Sequence, residues 1–143
     1  MQLDTTRFGM IDVDTDKVIT FTQPILGFAQ YRRYLMLPGP SENLYWLQST
    51  DSGDLAFIVM DPRAVVPDYQ VKPKGSELSE LAAANADELD VYTLVVVPQD
   101  ASKVRTNLRA PILVNPKQRL GKQTILDHSD YPVQHYLAQP TQE

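Results

Sequence analysis

Leu44-Tyr45-Trp46-Leu47-Gln48, then Thr50-Asp51-Ser52-Gly53-Asp54, then Leu55-Ala56-Phe57-Ile58-Val59-Met60: two β-rich runs flank a stretch of turn chemistry. Aromatic and β-branched side chains suit a pleated surface. Asp, Ser and Gly supply the local hydrogen bonds and the backbone freedom that a chain reversal needs. This is the clearest hairpin in the chain. Its second arm is almost wholly apolar, as expected of a strand covered on both faces. Asp61-Pro62 ends that arm, because proline lacks a ladder donor and holds the residue before it in extended geometry.

The same reading extends in both directions. Residues 8–13 and 18–21 are β-rich runs on either side of Asp14-Thr15-Asp16-Lys17 and read as a first hairpin. Pro24 and Gly27 interrupt the pattern before a run over 31–37 that is expected as a strand, with a short helix as the alternative. Further strands are expected over 69–72, 91–97, 104–108, 111–114 and 123–126, with 115–121 as the last turn. One short helix is expected over 76–84: Ser76 caps it, Glu77 and Glu80 favour its positive end, and Leu78 and Leu81 form its apolar stripe. Asn85 followed by Glu88 has the form of a capping box for one more helical turn. About nine short strands with so little helix rule against alternating βα units. The expected architecture is all-β: a compact antiparallel β-barrel-like single domain over residues 1–138, with a disordered tail over 139–143.

Composition agrees with a single globular core. At 143 residues the chain is long enough to bury roughly two thirds of its unfolded surface. There is no cysteine, which excludes disulfides, thiolate catalysis and cysteine-based metal sites. The first residues lack the basic start and apolar run of a signal peptide, and no apolar stretch is long enough to span a bilayer, so a cytoplasmic location and no membrane partner are expected. A formal net charge of −5 argues against direct nucleic-acid binding, which requires clustered Lys and Arg, and suits a basic protein partner.

No catalytic arrangement stands out. His128 and His135 are the two imidazoles, and neither lies near a Gly-x-Ser-x-Gly elbow. Asp127-His128-Ser129-Asp130 offers oxygen and nitrogen ligands, yet near-consecutive ligands on extended chain point to opposite faces, so the run reads as a solvated turn. Gly121-Lys122 lacks the glycine and hydroxyl residues of a phosphate loop. The sequence therefore predicts a non-enzymatic binding protein with no cofactor and no metal.

Taken in order, Phe8-Gly9 with Ile11, Gly27-Phe28 followed by Tyr34, Trp46-Leu47-Gln48-Ser49, Leu55-Ala56-Phe57, Asp61-Pro62, Pro67-Asp68-Tyr69, Thr106-Asn107-Leu108-Arg109-Ala110-Pro111-Ile112 and Gln123-Thr124-Ile125-Leu126 resemble the FliW family of flagellar assembly factors. The resemblance covers nearly the whole chain, and the Asn-Leu-x-Ala-Pro-Ile run is its most characteristic part. It implies a small β-barrel-like cytosolic protein with two protein partners: flagellin before export, and the RNA-binding translational repressor CsrA, whose repression of flagellin mRNA the freed factor relieves. The chain departs from the family in Phe21-Thr22-Gln23-Pro24-Ile25-Leu26-Gly27-Phe28-Ala29, where the family often has Phe-Pro-x-Gly-x-x-Gly-Phe-Glu. The resemblance supplies no catalytic residue.

The candidate partner-binding residues are Asp51, Asp54, Asp61, Tyr69, Asn107, Arg109 and Gln123. Asp51, Asp54, Tyr69 and Arg109 are expected at turns or strand edges, where binding groups concentrate. Trp46, Phe57 and Leu47 are expected to fill the core. Pro111 is expected to break the sheet after Arg109 and to leave backbone groups open to an added strand, with Asn107 alternatively serving to satisfy the bend. A second reading is a small-molecule-binding barrel with Tyr31, Tyr34 and Trp46 lining its pocket. The protein is expected to be monomeric on its own.

Overall fold

The structure is a computed structural model that describes residues 1–127 and 129–137. Eleven strands occur among the described residues: β1 (Gln2–Thr5), β2 (Gly9–Asp12), β3 (Ile19–Gln23), β4 (Arg33–Pro38), β5 (Leu44–Ser49), β6 (Ala56–Met60), β7 (Asp90–Val96), β8 (Arg105–Thr106), β9 (Ile112–Asn115), β10 (Leu120–Gln123) and β11 (His135–Tyr136). One α-helix, α1 (Gly75–Glu80), stands between β6 and β7. Strands β3–β4–β5–β6–β7–β9–β10 pair in that order, and β10 returns to β3, so seven strands close a barrel. Six seams are antiparallel and the closing one, β10 against β3, is parallel. Closure leaves the barrel no long free edge, while β8 and β11 extend the sheet beyond β7.

The β5–β6 hairpin forms as its sequence indicates, with Leu47 opposite Phe57 and Gln48 opposite Ala56. Its turn is held by side chains. Ser49 Oγ accepts from the amides of Asp51 and Ser52 at 3.1 and 3.0 Å, and the buried Gln48 amide donates to the carbonyls of Ser49, Gly53 and Leu55. Alternation sends Ile19, Phe21, Tyr34, Leu47, Val59, Ile112 and Val114 into one core, with Phe57, Tyr92 and Leu94 packed against them. Leu113 points the other way into a second core of Leu81 and Leu89 under the helical segment, so all four residues of β9 are buried. Trp46 does not fill the core. It lies on the outer face, edge-on to Phe8 at 6.0 Å and beneath the Arg7 guanidinium at 4.6 Å.

Several sequence expectations are corrected. Residues 8–13 and 18–21 do not form a hairpin: β2 pairs backwards with β1, and β3 pairs with β4 and β10. Asp14 caps a 3-10 turn over Thr15–Lys17 by accepting from the Asp16 amide, which carries the chain away instead of reversing it. Residues 69–72 are irregular because Tyr69 and Gln70 are committed to other segments. The last barrel strand starts at Leu120, within the expected turn. The helix begins one residue before Ser76, where Glu77 Oε1 accepts from the Lys74 amide at 3.0 Å, and the Asn85–Glu88 capping box forms as expected. The proposed tail over 139–143 and His128 lie outside the described residues.

Gly53 and Gly121 set close approaches between segments distant in the chain. A Cβ on Gly53 would lie 1.8 Å from the Asp4 carbonyl oxygen, so only glycine lets the β1–β2 ribbon seat on the β5–β6 turn. A Cβ on Gly121 would come within 3.0 Å of the Phe21 ring, where β10 shifts register against β3.

Candidate functional site

Four of the sequence-predicted residues converge at one end of the barrel, around residues 107–111. Asn107 Oδ1 accepts from the amides of Arg109 and Ala110 at 3.0 and 3.2 Å. The Tyr69 hydroxyl donates to the Leu108 carbonyl at 2.6 Å, and Gln123 Nε2 donates to the Ala110 carbonyl at 3.1 Å. The Arg109 and Pro111 carbonyls accept from the amides of Leu126 and Thr124, and the Asn107 and Leu108 amides donate to Leu94 and Pro132. Among the described residues, every backbone hydrogen-bonding group from the Asn107 amide to the Pro111 carbonyl except the Asn107 carbonyl thus has a partner, which corrects the expectation of an open ladder there.

Tyr69 and Arg109 are not the surface groups the sequence suggests. Tyr69 is 1% exposed, and burial, with Tyr131 adding to it, pushes its phenol well above the usual tyrosine range. The Arg109 guanidinium donates to the carbonyls of Tyr131 and Ser129 at 3.0 and 3.2 Å, so it anchors the following loop. Arg109→Glu is expected to cost about 1.5–3 kcal/mol, the range for hydrogen bonds made by a charged group. Urea unfolding measures it, and an unchanged midpoint would show that these bonds contribute nothing.

These residues build the wall of a groove. Tyr131 stacks on Tyr69 with ring centroids 4.5 Å apart, and its hydroxyl accepts from the Gln70 amide. A cavity of about 540 Å³ lies beside it, lined by Gln70, Lys72 and Lys74 from one segment and by Thr124, Ile125, Leu126 and Tyr131 from another. Ile125 is 47% exposed, an apolar side chain between two exposed lysines and an aromatic ring. Glu77 is buried beneath, ion-paired to Lys122 at 3.3 Å. Its burial opposes ionisation, but the Lys74 amide, the Thr124 hydroxyl and Lys122 together hold its carboxyl below the usual range. Lys122 also meets Glu80 at 3.4 Å, so this buried cation ties α1 to β10.

The remaining candidates lie elsewhere. Asp51 accepts from the amides of Arg32 and Arg33 and forms a two-bonded pair with the Arg33 guanidinium. Burial opposes its ionisation, yet these bonds lower its pKa. Asp54 on the same turn is exposed and accepts from the Thr6 hydroxyl. Asp51→Ala should therefore destabilise the fold by more than Asp54→Lys, for which about 0.5 kcal/mol is the upper expectation. Paired thermal melts check the ordering. Asp61 is exposed and caps the turn over Pro62–Ala64. With burial as the larger cause, its charge helps raise the pKa of Asp90.

The alternative ligand pocket is corrected. Tyr34 is fully buried against Phe21 and Phe57, its phenol pushed to about 12 by burial, with Asp51 and Tyr31 adding to the shift, whereas Trp46 is on the outer face. Tyr31, Tyr34 and Trp46 therefore do not surround one cavity. Lys72, Lys74, Ile125 and Tyr131 were not singled out by the sequence. Their available signals were two lysines at alternate positions of an extended run and an isoleucine in a motif that otherwise reads as core.

Residues 2–137 match the family model described as FliW protein. The chain is 39% identical over 139 residues to the flagellar assembly factor FliW of Natranaerobius thermophilus, covering 96% of this chain and 92% of that one. To the protein of the same name from Geobacter sulfurreducens it is 37% identical over 135 residues, covering 94% and 85% respectively. A crystal structure of the flagellar assembly factor FliW superposes with a TM-score of 0.90 at 26% identity, over 98% of this chain and 99% of that one.

Proposed function

The chain belongs to the FliW family of flagellar assembly factors, and from that premise we propose that it works without catalysis, by binding two proteins in turn: flagellin and a CsrA-type translational regulator. The observation that carries this reading is the groove beside Tyr131. It combines an exposed isoleucine, an aromatic ring seated on a buried tyrosine, and a charged rim of lysines and Asp127, at one end of the barrel. Partly apolar surfaces with aromatic anchors and charged rims are the usual form of a protein-docking site.

In this reading, capture of flagellin occupies the factor, and its release frees the factor to bind the regulator and relieve repression of flagellin translation. The exposed Asp54 and Asp61 give the rest of the surface the acidic character that suits a basic partner. The working unit is a cytoplasmic monomer with one domain over residues 1–138 and no cofactor. Among the described residues no helix is long and apolar enough to cross a membrane.

Titration of the purified chain with purified flagellin and with purified CsrA, each followed by calorimetry, tests the proposal. Two separate 1:1 or otherwise stoichiometric complexes are expected. Absence of heat and of co-elution with both proteins would reject it.

A further inference from the structure

The ladder of the barrel is open at a place other than the one the sequence indicates. β6 and β7 pair at Ile58–Val95, Val59–Leu94 and Met60–Thr93, yet β6 begins at Ala56 and β7 runs on to Val96. The phase of the ladders fixes which backbone groups face the gap. Ser49 donates to the Leu55 carbonyl, so the odd-numbered residues of β6 turn their amide and carbonyl towards β5, and Ala56 turns its own towards β7. Leu94 accepts from Asn107 on the β8 side, so Val95 and then Val97 turn towards β6. Ala56 and Val97 therefore face each other without a mutual hydrogen bond.

The gap opens onto a cavity of about 420 Å³ bordered by Arg7, Trp46, Ile58, Val95 and Val97. Val96 and Val97 are 47% and 55% exposed. Arg7 stands over the Trp46 ring and forms no ion pair among the described residues. The cavity shares no lining residue with the groove beside Tyr131.

We propose that this open seam is a strand-addition site that takes an extended segment of another protein carrying apolar residues and a carboxylate on one face, at every second position. An extended backbone presents amides and carbonyls at the spacing that Ala56 and Val97 require. Val97, Ile58 and Trp46 form an apolar floor for alternate side chains, and Arg7 is placed for the carboxylate at its rim. The proposal stands apart from the flagellin and CsrA assignment, since it rests on seam geometry alone.

The test uses the full chain and two blocked synthetic heptapeptides, Glu-Thr-Val-Thr-Val-Thr-Glu and its counterpart with lysine in place of glutamate, followed by amide hydrogen exchange and NMR. Without peptide, the Ala56 and Val97 amides are expected to exchange rapidly. The glutamate peptide should slow both by about tenfold or more at about 1 mM peptide, while the lysine peptide should not. Arg7→Glu, an exposed change, should transfer the preference to the lysine peptide. The proposal is overturned if Ala56 and Val97 are already as protected as Ile58, if neither peptide slows them, or if the two peptides act alike.

Discussion

Lys122→Ala is expected to destabilise the folded chain by about 3–5 kcal/mol, the cost of leaving a buried carboxylate without its cation. Lys122 is 8% exposed and Glu77 is 7% exposed, and they meet at 3.3 Å. Removing the lysine strands the buried Glu77 carboxylate of α1 and releases Glu80 from its ion pair, leaving it bonded to the Thr22 hydroxyl. The pH dependence gives an independent readout. The folded pKa of Glu77 is depressed, so its contribution to stability is present above the unfolded carboxylate range and is lost as pH falls through the lower, folded value. Without Lys122 the depression shrinks, so less stability is lost between the unfolded and folded values and unfolding of the variant depends less on pH across that range. Combining Lys122→Met with Glu77→Gln keeps an acceptor for the Lys74 amide and should recover part of the loss. Urea unfolding across acidic pH measures both effects, and a Lys122→Ala variant as stable as the parent would show that the pair is not holding the helix.

Ile125→Glu is expected to weaken partner binding by at least about thirtyfold, roughly 2 kcal/mol, with little change in stability. Ile125 is 47% exposed and stands in the groove beside Tyr131, so a charge there is solvated in the free protein and meets an apolar surface only on docking. Calorimetry with flagellin and with CsrA measures the effect, and a melt of the variant separates binding from folding. Normal affinity for both partners would remove this groove from the interface.

The residues that made the fold legible are those whose signal is local. The β5–β6 hairpin could be read because its arms are rich in aromatic and β-branched residues and flank a run of turn residues, whose Asp51 and Ser52 amides are satisfied next door by Ser49. The Asn85–Glu88 box was legible for the same reason. β1 was missed because Gln2-Leu3-Asp4-Thr5 has no strand-like composition. Its pairing with β2, and the ribbon's seat on Gly53, are decided by contacts far along the chain. The parallel closure of β10 on β3 spans about a hundred residues and leaves no local mark.

The site was only partly legible on the same grounds. Asn107 serves the bend through neighbouring amides, a short-range role that its residue type suggests. Tyr69 follows Pro67-Asp68 and looks like a turn residue, but its hydroxyl finds the Leu108 carbonyl across the barrel end and the ring is buried. Arg109 looks like a binding cation, but its donors are taken by carbonyls some twenty residues later in the chain. Lys72, Lys74 and Ile125 become a groove only when two distant segments meet.

The central claim, that this chain acts by docking proteins at the barrel end beside Tyr131, is tested most directly by amide hydrogen exchange on the isolated chain and on its complex with purified flagellin. Slower exchange is expected at residues 70–74 and 124–131, beyond any change at the opposite faces of the barrel. A complex that forms while those residues exchange as they do in the free chain would contradict the claim.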